Sequence, residues 1–155
     1  MFAYGQTASG KTYSMMGTIE QPGVIPQAID DVFTYIRKST TREFLLRMSY
    51  LEIYNESIRD LLNPDNVDLK IVHSKARLCA VSQLTEEIIT SPRQIMKLIS
   101  RGENHRQVFS TENNERSSRS HTIFQLIVES RLIGDNQDQG VLSSQLVLTF
   151  YIELD

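Results

Sequence analysis

The residues best suited to chemistry form a glycine-rich loop near the start of the chain. Gly5, four further residues, and then Gly10, Lys11 and Thr12 complete the pattern Gly-x-x-x-x-Gly-Lys-[Ser/Thr]. Glycines let the backbone curl so that its N–H groups point at phosphate oxygens, while the lysine reaches phosphate and the hydroxyl binds Mg²⁺. A plain glycine-rich turn before a helix is the alternative, but four fixed positions seldom coincide by chance. The pattern predicts nucleotide binding by Gly5, Gln6, Thr7, Ala8, Ser9, Gly10, Lys11 and Thr12.

Composition indicates one globular domain. The chain has 155 residues, 40% of them hydrophobic and 23% charged, which is enough for a sizeable core. The net charge of −3 favours no nucleic-acid partner. We expect no membrane partner, because no apolar run is long enough to span a bilayer and no secretory signal is present. A single cysteine, Cys79, excludes an internal disulfide and is typical of a cytoplasmic protein.

Apolar periodicity predicts alternating helices and strands. A helix that begins at Pro26 has one apolar face, and residues 42–54 are apolar on both faces, as in a central strand. Glu52 lies inside that strand, where a buried carboxylate needs a partner. We expect a salt bridge or hydrogen bond there rather than a catalytic role.

The second half of the chain contains the clearest helix start. Ser91 is the predicted N-cap, Pro92 the first helical residue, and Gln94 completes a capping box. The other predicted segments are a helical turn at 55–62, a small hairpin and a strand within 65–90, a polar loop at 104–120, and antiparallel strands at 121–131 and 145–154.

The polar loop contains a second candidate for phosphate chemistry. Ser117 and Ser118 are adjacent and lie between Arg116 and Arg119. In a chain that also has a phosphate-binding loop, hydroxyls and arginines in this order favour a γ-phosphate sensor. From spacing alone, a solvated and capped loop is equally consistent with the sequence.

Four motifs, taken in chain order, resemble the kinesin motor domain. They are the glycine-rich loop at 2–12, Pro-Gly-Val-Ile-Pro at 22–26, Ser-Tyr-Leu-Glu-Ile-Tyr-Asn-Glu at 49–56 with Asp-Leu-Leu at 60–62, and Asn-Glu-Arg-Ser-Ser-Arg-Ser-His at 114–121. The sequence at residues 42–47 and 120–124 is most similar to that of centromere-associated, protein-E-type kinesins. The resemblance implies an α/β, P-loop NTPase-type three-layer domain with a central mixed sheet, incomplete at both ends. Residues 1–148 would be the partial motor domain, and 149–155 a divergent C-terminal tail in place of switch II.

The resemblance also implies roles for individual residues, with ATP and Mg²⁺ as cofactors. Residues 114–121 match switch I, in which Ser118 would bind Mg²⁺ together with the P-loop threonine, and Ser117 would lie at the γ-phosphate. Asn114 would help to place the attacking water, and Arg119 would pair with a glutamate of switch II. Tyr13 would pack near the adenine.

Microtubules are the partner that the resemblance implies. The basic stretch from residue 70 to residue 77 falls near one microtubule contact of kinesins, although a solvated strand face explains its charges equally simply. Full-length relatives usually dimerise through a coiled coil that is absent here. The expected location is cytoplasmic, on the microtubule cytoskeleton.

The end of the chain departs from the kinesin pattern. Phe150 stands where the Mg²⁺-linked aspartate of switch II is expected, and Asp155 comes five residues later. This divergent end is typical of an alternative exon, a read-through or a gene-model error. The chain also starts inside the third strand of the family domain. Such a chain is not expected to hydrolyse ATP at motor rates or to walk.

The sequence offers two other functions besides a kinesin motor fragment. One is a truncated, non-catalytic module that binds nucleotide or tubulin. The other is an unrelated P-loop enzyme such as a GTPase, which the sequence disfavours because it contains no Asn-Lys-x-Asp motif.

Overall fold

The computed structural model describes residues 1–5, 9–73, 80–111, 120–134 and 141–150. The elements, in chain order, are β1 (Phe2–Ala3), α1 (Lys11–Met16), α2 (Val24–Lys38), β2 (Arg42–Tyr54), β3 (Ser57–Asp60), β4 (Ile71–Val72), β5 (Ala80–Val81), β6 (Glu87–Ile89), α3 (Pro92–Thr111), β7 (Ser120–Leu132) and β8 (Leu142–Phe150).

One six-stranded sheet organises the described residues. Its strand order is β1-β8-β7-β2-β3, and β6 also pairs with β2. Strands β2 and β7 pair along their whole lengths, from Arg42 opposite Leu132 to Tyr54 opposite Ser120. The β1–β8 pair is parallel and every other described pair of this sheet is antiparallel, so the sheet is mixed but mainly antiparallel. Strands β4 and β5 form a separate two-stranded sheet.

All three described helices pack on one face of the main sheet. Side chains alternate between the two faces of a strand, and the even-numbered residues of β2 and β7 form the core with the helices. The buried residues of this cluster include Met15, Ile25, Ile29, Phe33, Leu46, Met48, Tyr50, Ile95, Leu98, Ile99, Phe124, Leu126 and Leu148. None of the helices that the structure describes combines the length and the apolar content needed to cross a bilayer.

The predicted third layer is not present among the described residues. On the face opposite the helices, Leu51 forms a smaller buried cluster with Ile58 and Leu69. In the described residues between β3 and α3 the chain forms turns and short strands, with no helix among them. The described ranges contain a mixed sheet with helices on one face, as in a fragment of the predicted α/β domain, and its three-layer arrangement stays a prediction.

Several predicted elements are confirmed. Strand β2 occupies residues 42–54, and β7 and β8 are antiparallel as far as residue 150. Helix α2 begins two residues before Pro26. A proline fits there because amides in the first turn have no intrahelical acceptor. Cys79, Asp155 and the other residues of 151–155 lie outside the described residues.

The start of α3 agrees with the prediction in part. The helix begins at Pro92, and the Ser91 hydroxyl accepts a hydrogen bond from the Gln94 amide at 3.3 Å. The side chain of Gln94 does not close a capping box on Ser91. Its Oε1 accepts from the Thr90 amide at 3.0 Å, one residue earlier, so the reciprocal contact is displaced.

The predicted helical turn at 55–62 is wrong, because this segment forms a hairpin. Asn55 and Glu56 have φ values of 48° and 62°, and β3 follows them and pairs with the end of β2. Two central residues with positive φ make a turn whose twist matches the two strands that it joins. The chain therefore reverses direction within two residues.

The predicted polar loop at 104–120 is also wrong in its first half, because α3 continues to Thr111. Two polar residues in this part of the helix have partners elsewhere in the fold. His105 Nδ1 lies 2.8 Å from the Leu61 carbonyl oxygen, and Arg106 Nε lies 3.5 Å from Glu52 Oε1 on β2. Polarity here reflects contacts with the sheet rather than exposure in a loop.

Helix α3 passes close to β2 at Gly102, and alanine at this position is expected to destabilise the fold. A Cβ atom on Gly102 would lie 2.6 Å from Cδ1 of Tyr50, which is buried. The helix must therefore shift away from the strand, and we expect Gly102→Ala to lower the free energy of unfolding by about 2 kcal/mol in chemical denaturation.

Ser100→Ala is the matched control, since it adds alanine to an exposed position of the same helix. Alanine has the higher helix propensity, so propensity alone would make Gly102→Ala more stable by about 1 kcal/mol. A stabilised Gly102→Ala variant would contradict the close approach of α3 to Tyr50.

Candidate functional site

Two glycines set the shape of the described part of the glycine-rich loop. Gly5 follows β1 with φ 149°, and Gly10 precedes α1 in the left-handed conformation with φ 84°. A Cβ atom on Gly5 would lie 2.8 Å from Ser9 Oγ, a hydroxyl that can rotate away, so the positive φ value is the main reason for glycine there. Both positions therefore need glycine for backbone reasons, as the phosphate-loop pattern predicts.

Lys11 and Thr12 are the first two residues of α1. The ammonium group of Lys11 donates to the Gly5 carbonyl oxygen and to Ser9 Oγ, the latter at 3.3 Å, so it lies against both described ends of the loop. Thr12 is exposed. An ammonium group, a hydroxyl and the backbone amides at the start of a helix together fit a phosphate group with a bound Mg²⁺ ion.

Tyr13 lies on the exposed side of α1. Its side chain is 55% exposed, and its hydroxyl donates to Gln21 Oε1 at 2.7 Å. The ring is thus held beside the loop by one hydrogen bond and leaves a flat aromatic surface in solvent. Gln6, Thr7 and Ala8, the other predicted nucleotide-binding residues, lie outside the described residues.

The switch-like residues Asn114, Ser117, Ser118 and Arg119 also lie outside the described residues, but the elements on both sides of them are described. Strand register brings Ala3 opposite Phe150, and Phe150 opposite Thr122. The end of β1 and the start of β7 therefore lie at the same edge of the sheet. The glycine-rich loop leaves from this edge, and Ser120 is the first residue of β7 there.

A buried polar cluster occupies this edge under α3, and sequence reasoning found only one of its members. Glu52 has a partner, as expected, because its Oε1 lies 3.5 Å from Arg106 Nε. Arg106 also donates to Glu103 Oε2 and to Ser120 Oγ, both at 3.2 Å. The tyrosine at residue 50 donates to Glu103 Oε1. Besides Glu52, the i,i+3 spacing of Glu103 and Arg106 is a signal in the sequence that could have found further members of this cluster.

Burial dominates the electrostatics of the tyrosine in this cluster. Its burial, and next the Glu103 carboxylate beside it, raise the pKa of Tyr50 well above its ordinary value. The phenol therefore stays protonated at neutral pH and remains a donor to Glu103. Among the described residues, no group of three His, Cys, Asp or Glu side chains comes together as a metal site.

Comparison with known proteins decides the family. Residues 1–149 match the model of the kinesin motor domain. This chain belongs to the kinesin family. It is 51% identical over 140 residues to the Kinesin-like protein KIN-7I of Oryza sativa subsp. japonica, covering 90% of this chain and 12% of that protein. It is 52% identical over 148 residues to the Kinesin-like protein KIN-7D, mitochondrial, of Arabidopsis thaliana, covering 96% of this chain and 14% of that protein.

A solved kinesin structure supports the same conclusion. The structure titled "Structure of a fast kinesin: Implications for ATPase mechanism and interactions with microtubules" superposes with a TM-score of 0.86 and 38% identity, over 96% of this chain and 42% of that chain. The resemblance to protein-E-type kinesins is confirmed, because the relatives belong to the kinesin-7 group. The chain is a partial kinesin motor domain and spans about an eighth of the length of the curated relatives it matches.

Proposed function

We propose that this kinesin chain binds ATP with Mg²⁺ at its glycine-rich loop, as the nucleotide-binding part of a microtubule motor. The observation that carries the proposal is the geometry of the loop. Gly5 and Gly10 have positive φ, and Lys11 and Thr12 begin a helix at the edge of the sheet where Ser120 starts β7. The kinesin family binds ATP, and the loop geometry supports the same ligand for this chain.

Different residues in and next to the loop would contact different parts of the nucleotide. Lys11 Nζ would hold oxygens of the β- and γ-phosphates, and the Thr12 hydroxyl would bind Mg²⁺. When bound, Mg²⁺ neutralises charge on the phosphate oxygens, and ATP supplies the phosphoryl group. Tyr13 would offer its exposed ring to the adenine, while residues 6–10 would contribute backbone amides.

Switch I would complete the site by family resemblance. Ser118 would bind Mg²⁺ and Ser117 would contact the γ-phosphate, with Asn114 orienting the attacking water. Arg119 would pair with a carboxylate of switch II in the complete domain. Coupling hydrolysis to movement along microtubules belongs to that complete domain, and we propose a cytoplasmic, microtubule-associated location for it. Dimerisation through a coiled coil elsewhere in the protein is part of the same proposal.

A second candidate, a non-catalytic module that binds tubulin, is favoured by one surface. Strand β4 leaves Ile71 and Val72 57% and 41% exposed, next to the exposed Lys70. Apolar side chains beside a positive charge suit an acidic protein surface. The same surface would serve a motor, so binding to microtubules alone does not separate the two candidates.

Nucleotide and microtubule binding, measured together, test the proposal. A fluorescent ATP analogue is titrated into the protein with Mg²⁺ and again with EDTA, and phosphate release is measured with and without microtubules. Mg²⁺-dependent binding supports the nucleotide site, and microtubule-stimulated phosphate release supports the motor. Sedimentation with microtubules without nucleotide binding supports the tubulin-binding module, and the absence of Mg²⁺-dependent nucleotide binding would refute the proposed site.

A further inference from the structure

Arg106 joins three elements of the fold through separate nitrogen atoms. Its Nε lies 3.5 Å from Glu52 Oε1 on β2, and its Nη1 donates to Glu103 Oε2 on α3 at 3.2 Å. Its Nη2 donates to Ser120 Oγ, at the first residue of β7, at 3.2 Å. A guanidinium group is planar and presents its donors in a fixed fork, so these contacts together fix the relative positions of the elements.

The ion pair between Arg106 and Glu52 is poorly arranged for stability. The Glu52 side chain is only 2% exposed, and its Oε2 has no hydrogen-bond partner among the described residues. Arg106 Nε is also buried without a hydrogen bond within the described part of the chain. A buried pair with incomplete hydrogen bonding contributes little net stability compared with apolar residues of similar size. The arrangement is better explained by positioning than by stabilisation.

Tyr50, under α3, holds the Glu103 carboxylate that pairs with Arg106. Tyr50 is 2% exposed and donates its hydroxyl to Glu103 Oε1, while Gly102 lets the helix backbone approach the ring. Glu103 therefore accepts from Tyr50 with one oxygen and from Arg106 with the other. The contact with Glu103 thus orients the guanidinium group of Arg106, which also donates to Ser120.

The position of Arg106 in the chain gives these contacts a functional meaning. Helix α3 ends at Thr111, five residues after Arg106, and β7 begins at Ser120. The residues that connect these two elements include Ser117 and Ser118, the two switch I side chains proposed to meet the γ-phosphate and Mg²⁺. We propose that Arg106 is a positioning residue that ties both flanks of this connection together and thereby raises the affinity of the site for ATP relative to ADP. This inference rests on the proposed nucleotide-binding function.

Conservative substitutions in the full chain test the proposal. Arg106→Lys keeps the charge but replaces the fork by a single ammonium group, which cannot maintain all three contacts. We expect it to reduce about tenfold the ratio of affinities for a non-hydrolysable ATP analogue and for ADP, each titrated with Mg²⁺. Ser120→Ala, which removes only the hydroxyl that accepts from Arg106, is expected to lower the same ratio.

Arg101→Lys is the matched control on the same helix. Arg101 pairs with Glu87 at 3.4 Å on the exposed side of α3, and it makes no described contact with β7. In the Arg101→Lys variant, the ratio of affinities for the ATP analogue and for ADP is expected to equal that of the unsubstituted chain. If Arg106→Lys keeps the ratio and only lowers the melting temperature, Arg106 has a structural role and the proposal is wrong.

Hydrogen exchange without nucleotide separates this inference from the proposed function. In Arg106→Lys, amides at 107–111 and 120–124 are expected to exchange about tenfold faster, while those of β3 keep their rates. A uniform increase over the whole protein, or the same change in Arg101→Lys, would overturn the positioning role. If the unsubstituted chain binds neither nucleotide, the proposed function fails, and the exchange pattern still decides whether Arg106 ties the two flanks together.

Discussion

Replacing Lys11 by alanine is expected to weaken binding of Mg²⁺-ATP by about a hundredfold, with little change in the folded structure. The ammonium group is the one charged side chain of the described loop, and charge-assisted hydrogen bonds to phosphate contribute about 1.5–3 kcal/mol each. Loss of one such bond at the upper end of this range corresponds to about a hundredfold change at about 1.4 kcal/mol per decade. Titration of a fluorescent ATP analogue measures the change directly.

A purely structural role for Lys11 predicts a different result. Its Nζ donates to the Gly5 carbonyl oxygen and to Ser9 Oγ, so alanine could loosen the loop without affecting any ligand. In that case the melting temperature of the free protein would fall and the affinity for nucleotide would not change. Our proposal expects the reverse.

Two further variants sharpen the comparison. Lys38→Ala removes the same charge from an exposed position at the end of α2, and its affinity for ATP is expected to be unchanged. Lys11→Arg keeps the charge but replaces the compact ammonium by a planar fork, so it is expected to restore only part of the binding. Full affinity in Lys11→Ala would exclude phosphate binding by this side chain.

The elements that the sequence predicts well are those with local causes. Strand β2 and the hairpin of β7 and β8 follow from apolar alternation. Strand β3 was missed because its hairpin turn places Glu56 at φ 62°, a conformation for which glutamate gives no sequence signal. The second half of α3 was missed because its polar residues have partners far away in the sequence, such as Leu61 for His105.

In the candidate site, too, the part with local causes is predictable from the sequence and the part with long-range contacts is not. The glycine-rich loop is predictable because its residue types are required by backbone geometry within a few positions of one another. The cluster around Arg106 joins residues 52, 103 and 120, which meet only after α3 has packed across the sheet. The sequence predicts that Glu52 has a partner. It does not identify that partner as Arg106, because no local pattern links the two residues.

Asp60→Ala is expected to cause a large loss of stability. The side chain is fully buried at the end of β3. Its Oδ1 accepts from the amides of Leu62 at 2.8 Å and Asn63 at 3.1 Å, and its Oδ2 accepts from the Thr85 amide at 2.8 Å and from Asn66 Nδ2 at 3.4 Å. One carboxylate thus holds the turn after β3 against the segment that leads to β6.

Alanine at residue 60 would leave three backbone amides without their acceptor. Each unsatisfied group costs about 1–3 kcal/mol, so we expect a loss of about 4 kcal/mol in the free energy of unfolding, measured by chemical denaturation. Asp60→Asn keeps the shape and one acceptor oxygen but turns a donor toward an amide, so a smaller loss is expected from it.

Asp65→Ala is the control, because Asp65 is exposed in the turn that Asp60 organises. It removes the same charge, and surface changes of this kind usually alter stability by less than about 0.5 kcal/mol. Equal stability of the two alanine variants would contradict the structural role of Asp60. The Asp-Leu-Leu motif at 60–62 carries part of the kinesin resemblance, and the hydrogen bonds of Asp60 explain the motif in structural terms. The Asp60 carboxylate fixes the path of the chain that buries Leu61 and Leu62 beneath α3.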